Sequence, residues 1–109
     1  MFRLDQFTVG EFAARRGVAA ILFGAARGQL TMDQAREFAF LWLEYPDLAR
    51  YGYINVTANL GVCKLMSVKS LPTVLIFRDG VVVQTFEGLQ PRHRMEEALR
   101  VYESRPLAA

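Results

Sequence analysis

Apolar and polar positions divide the chain into blocks of two different periods. Val18-Ala19-Ala20-Ile21-Leu22-Phe23 is an unbroken apolar run, the pattern of a strand covered on both faces. Ahead of it, Thr8 to Arg16 places Phe12 and Ala13 on one helical face and stops at Gly17, a residue suited to closing a helix. From Thr31, the apolar positions Ala35, Phe38, Leu41 and Trp42 recur at helical spacing, so the pattern predicts a helix to about Tyr45, ended by Pro46. Thr31-Met32-Asp33-Gln34 has the Thr-x-x-Gln spacing of a capping box at its start. Tyr51 to Val56 reads as a second strand, and Ala58 to Ser67 as a short helix with Ala58, Val62, Leu65 and Met66 along one side.

The stretch from Ser70 to Gly88 organises the rest. It reads as an apolar strand, an Asp79-Gly80 turn and a second apolar strand, the strongest short-range hairpin signal in the chain. Pro91 to Tyr102 then predicts a last helix through Met95, Ala98, Leu99 and Tyr102, with Pro91 in its first turn and Arg100 near its end, where the dipole favours a cation. Phe2 to Leu4 is a candidate edge strand. The order is helix, strand, helix, strand, helix, hairpin, helix, an α/β pattern within one domain over residues 1–109.

A chain of 109 residues that is 52% apolar suits a single packed core. Net charge is only +2, and the arginines are scattered from Arg3 to Arg105 with no basic stripe, which argues against a nucleic-acid partner. No apolar run approaches the length of a spanning helix, and Met1 to Asp5 lacks the layout of a signal peptide, so a cytoplasmic protein without membrane contact is expected. One cysteine, Cys63, and one histidine, His93, leave no intrachain disulfide and no metal-ligand spacing; no metal or cofactor is expected. Cys63 reads as a small core hydrophobe and His93 as a solvated residue at a helix start.

Leu71-Pro72-Thr73 followed by an apolar strand, Gly80, a second strand and Gly88 resembles the thioredoxin superfamily. Phe23 stands at that family's phenylalanine before the active-site loop, and Ile54-Asn55-Val56 at its third-strand motif. The resemblance implies a thioredoxin-like fold, a central mixed sheet of four or five strands flanked by helices, with a cis-proline at Pro72 before the C-terminal hairpin. The same register places Gly28-Gln29-Leu30-Thr31 at the family's Cys-Gly-Pro-Cys, Leu22 at its buried aspartate, Tyr53 at the neighbouring lysine, and Gly24 and Arg27 at its two tryptophans. Disulfide exchange needs an attacking thiolate and a resolving thiol, and neither Gly28 nor Thr31 supplies one.

The expected function is therefore redox-inactive binding of a protein or peptide, as a chaperone, assembly factor or scaffold. The family's substrate groove would comprise Arg27, Gly28, Gln29, Leu30 and Thr31, the pair Ser70 and Leu71 before Pro72, and Gly88 with Leu89; pairing with an extended peptide there needs no cysteine. Bacterial hydrogenase-operon proteins, small thioredoxin-like proteins without the Cys-x-x-Cys pair, share this profile, although no motif specific to them is present. One helix cannot bury all of Phe38, Phe40, Leu41, Trp42 and Leu43, so Phe40 and Leu43 are expected at a contact with a partner or a second copy of the chain. Two alternatives remain: a thiol or glutathione-linked oxidoreductase using Cys63, an intermolecular disulfide or the Thr31 hydroxyl, and a structural homodimer.

Overall fold

The computed structural model describes residues 1–104, so the end of the domain expected over 1–109 lies outside the described residues. Its elements are β1 (Phe2–Leu4), α1 (Val9–Ala14), β2 (Val18–Gly24), α2 (Gln29–Glu44), β3 (Arg50–Asn55), a 3-10 turn at Val56–Ala58, α3 (Val62–Leu65), β4 (Thr73–Arg78), β5 (Val81–Glu87) and α4 (Arg92–Glu103). The five strands lie in the order β1-β3-β2-β4-β5, with β1, β3 and β2 mutually parallel, β4 antiparallel to β2, and β5 antiparallel to β4.

All seven residues of β2 are buried, which requires cover on both faces of the sheet. Ala19, Ile21 and Phe23 point to one side and meet Leu4, Val9, Phe12, Ile54, Val62, Leu75 and Phe77 beneath α1 and α3. Val18, Ala20 and Leu22 point to the other and meet Phe38, Leu41, Val74, Ile76, Phe86, Met95 and Leu99 from α2 and α4. The period of two in the strands and of 3.6 in the helices thus produces two apolar layers with the sheet between them. Gly52 in β3 is part of this packing, because a Cβ there would lie 2.6 Å from a Leu4 methyl and 3.1 Å from the Phe12 ring.

The hairpin closes through Asp79 (φ 51°) and Gly80 (φ 86°), both left-handed as a primed turn demands. The turn is joined to the α1–β2 corner: the Asp79 carboxylate accepts from the Gly17 N–H at 2.7 Å, and the Asp79 N–H donates to the Gly17 carbonyl at 2.9 Å. Arg50 secures the same corner by donating to the carbonyls of Phe12, Arg15 and Arg16, which the end of α1 leaves without helical partners.

Several sequence expectations shift. The helix expected from Thr31 starts at Gln29, with Gly28 as N-cap, so Thr31 lies inside the first turn and does not form a capping box with Gln34. Gln34 is instead fully buried, its amide exchanging hydrogen bonds with the backbone of Gln90 at 2.7 and 3.3 Å. Trp42 is 39% exposed and outside the core. The helix expected over Ala58 to Ser67 shrinks to Val62–Leu65, leaving Ala58 and Leu65 exposed. The cause is local: the Asn55 side chain accepts from the Thr57 N–H, Asn59 donates back to the Asn55 carbonyl, and Gly61 turns left-handed, so side chains and a glycine divert the backbone from a helix. Pro91 sits at the N-cap of α4, one residue before the first turn.

Tyr51 carries a pH dependence. Its hydroxyl, buried among the α2 and α4 side chains, donates at 2.9 Å to the Tyr45 carbonyl that ends α2. Burial first, and then the nearby Glu96 carboxylate, push the phenol well above its ordinary range. A group held neutral by the fold contributes stability that is complete below its unfolded pKa of about 10 and declines as pH rises beyond it. Tyr51→Phe should lower urea stability by about 1 kcal/mol at pH 7, the worth of one buried hydrogen bond. The difference from wild type should narrow above about pH 10, where only the wild type must keep a phenol protonated in order to stay folded.

Candidate functional site

The sheet brings three connections to one edge. Phe23 at the end of β2 pairs with Thr73 at the start of β4, and Thr73 pairs with Glu87 at the end of β5. The loop after β2, the segment entering β4 and the segment leaving β5 therefore lie side by side. The Gly88 N–H donates to the Pro72 carbonyl at 2.9 Å, and the Leu71–Pro72 peptide bond is cis. These contacts assemble the residues expected to form a groove: Arg27 to Leu30, Ser70 to Pro72, and Gly88 with Leu89.

Within this group the roles separate by burial. Arg27, Gln29, Leu30, Ser70, Leu71 and Leu89 are exposed, whereas Pro72 and Thr31 are buried and lie beneath the surface. The Ser70 carbonyl accepts from the Thr73 hydroxyl at 2.7 Å. Among the described residues, the Leu71 amide and carbonyl have no hydrogen-bond partner. Arg27 has no acidic partner among them either. Leu89 is positioned from below, since its neighbour Gln90 is held by the buried amide of Gln34 in α2.

Thr31 holds the first loop in shape. Its hydroxyl accepts from the Ala25 N–H at 3.2 Å, and a second tie runs from the Ala26 N–H to the Thr57 hydroxyl at 3.3 Å. Its methyl occupies the space that any side chain at position 24 would need, because a Cβ on Gly24 would collide with it. The sequence shows a glycine at 24 and a threonine at 31 as separate departures from the thioredoxin pattern; the structure makes them one packing unit. With 5% of its surface exposed and its oxygen occupied, Thr31 is a loop anchor.

The remaining candidates lie elsewhere. Cys63 is half-buried on α3 and packs on the α1 side of the sheet, against the face opposite α2. His93 is exposed on α4. Among the described residues no three His, Cys, Asp or Glu side chains gather as a metal site would require, and no helix is long and apolar enough to cross a membrane. Phe40 and Leu43 both stay at the surface, as expected from the sequence: Phe40 is 40% exposed even with Arg92 of α4 lying 4.3 Å over its ring and pairing with Glu37 at 3.1 Å. Leu43 is 66% exposed.

The pairing of Gly24 with Thr31 is testable. Gly24→Ala should destabilise the protein by about 1 to 3 kcal/mol through overpacking. Adding Thr31→Ser removes the obstructing methyl and should recover most of that loss; equal costs for the single and double variants in denaturant titrations would contradict the packing described.

No protein-family model matches the chain. Solved structures do. A mutant thioredoxin from Halobacterium salinarum NRC-1 superposes with a TM-score of 0.85 over 96% of this chain and 92% of its own, at 19% identity. Chloroplastic thioredoxin z gives 0.84 over 96% of each chain at 18% identity. The thioredoxin Mala s 13 of Malassezia sympodialis gives 0.83 over 95% of this chain and 92% of its own at 13% identity. Together with the strand order and the three converging connections, these likenesses establish that the chain has a thioredoxin-like fold.

Proposed function

We propose that this protein works by holding an extended polypeptide in the groove beside Pro72 and carries out no disulfide exchange there. The observation that carries this reading is the backbone of Leu71, an exposed residue whose amide and carbonyl are unpaired among the described residues, set between the loop after β2 and Gly88-Leu89. A backbone left this way is a template for one more strand, and main-chain pairing supplies affinity while neighbouring side chains select sequence. Exposed Leu30, Leu71 and Leu89 offer apolar contacts to such a peptide, and Arg27 offers a cation.

The chemistry of the loop supports binding without catalysis. Gly28 and Thr31 stand where the superfamily pattern has its two thiols, and the Thr31 oxygen is already engaged by Ala25. Cys63 lies on α3, among the residues packed on the other face of the sheet from α2, and no second thiol exists in this sequence to resolve a mixed disulfide formed there.

Two assays test the two halves of the proposal. Insulin reduction by dithiothreitol should run at the uncatalysed rate with wild type and with Cys63→Ser; turnover above background would overturn the redox-inactive half. Peptides selected from a displayed random library should bind through alternate main-chain groups. N-methylation at the one or two positions that pair with Leu71 should weaken binding about tenfold each, the loss expected for a hydrogen bond of about 1.4 kcal/mol. Uniform tolerance of N-methylation would place the peptide elsewhere.

A further inference from the structure

Beside α2, a second site lies on the side of the sheet toward β1. Arg3 of β1, Tyr53 of β3 and Leu22 of β2 are register partners, so their side chains form one row across three strands on the α2 face. Above that row, α2 presents Ala35 and Ala39, which are too small to cover Tyr53, so Tyr53 and both alanines stay half-buried while Leu22 lies buried beneath them. The result is an open cleft of about 450 Å³, lined by Met1, Phe2, Arg3, Leu22, Ala35, Ala39 and Tyr53. That size lies within the range of small-molecule sites. Leu22 and Tyr53 are the two positions at which the thioredoxin pattern has a buried aspartate and a lysine, so two departures of this sequence meet as the floor of an apolar cleft.

We infer that this cleft binds a small carboxylic acid with an apolar tail or ring. Charge complementarity selects this occupant. Arg3 is the charged side chain of the lining, and among the described residues it makes no ion pair or hydrogen bond. Its planar guanidinium matches the two oxygens of a carboxylate, and the neighbouring Tyr53 hydroxyl is a further donor. Ala35, Ala39 and the Tyr53 ring then receive the apolar body. The site is separate from the groove at Pro72 and does not depend on what that groove binds.

The probe is decanoate, with decanol as its uncharged counterpart, titrated into the full chain by calorimetry and by light scattering. Decanoate should bind saturably with one molecule per chain, and decanol at least tenfold more weakly. Arg3→Gln should weaken decanoate about tenfold and leave decanol unchanged. Ala39→Phe should abolish binding of both by filling the cleft; Ala35→Leu serves the same purpose if circular dichroism shows that the phenylalanine variant does not fold. Absence of saturable binding, equal affinity for acid and alcohol, or binding that survives the filled cleft would each overturn the inference. So would a wild-type dimer that Ala39→Phe converts to monomer, since the cleft would then be a seam between two copies.

Discussion

The burial of β2 on both faces is the constraint from which the architecture follows. A strand with no polar side chain between Val18 and Gly24 cannot leave either face to water, and its ladder partners β3 and β4 close both of its edges. Helices must cover it above and below, and the alternation of side chains assigns each residue to one layer. Phe38, Leu41, Met95 and Leu99 complete one layer; Val9, Phe12 and Val62 complete the other. The outer strands inherit their positions from this centre, and the Asp79 to Gly17 bonds fix where the hairpin ends.

The same centre brings three connections to one edge of the sheet. Because β2, β4 and β5 are in register at Phe23, Thr73 and Glu87, the three segments that adjoin them emerge together. Their conformations are then held by polar side chains: buried Thr31 on Ala25, buried Gln34 on Gln90, and exposed Thr57 on Ala26. The Thr31 and Gln34 bonds are partly buried and costly to break, since each would leave a backbone group poorly satisfied by water. A surface fixed from beneath can present exposed side chains and an unpaired backbone without using catalytic groups to maintain its shape.

On the outer flank of α2, small residues have the opposite consequence. Ala35 and Ala39 leave space beside Tyr53, whereas on the inner face Phe38 and Leu41 fill it. One helix therefore seals the core along one stripe and opens a cleft along the next. On its third side Arg92 lies over part of Phe40 and pairs with Glu37, so an apolar side chain that stays 40% exposed gains a cation from α4 as a neighbour.

Much of this protein was determined by its sequence alone. The all-apolar run at Val18 to Phe23, the Asp79-Gly80 turn and the Leu-Pro-Thr entry specify a central strand, a hairpin and their relation, because they act through local geometry and through a period that admits one burial pattern. The roles of isolated polar residues were decided by the tertiary structure. Thr31 and Gln34 have the spacing of a capping box, yet one anchors a loop six residues back and the other reaches Gln90 on a distant segment, since a buried donor or acceptor takes whichever partner the packed fold provides. Trp42 fits the helical period but falls beside the stripe of Phe38, Leu41 and Tyr45 that packs on the core, and the path from Val56 to Leu65 follows Asn55, Asn59 and Gly61 more than its apolar spacing. Periodicity identifies which face of an element is apolar; how far the neighbouring elements extend over that face is a property of the assembled fold alone.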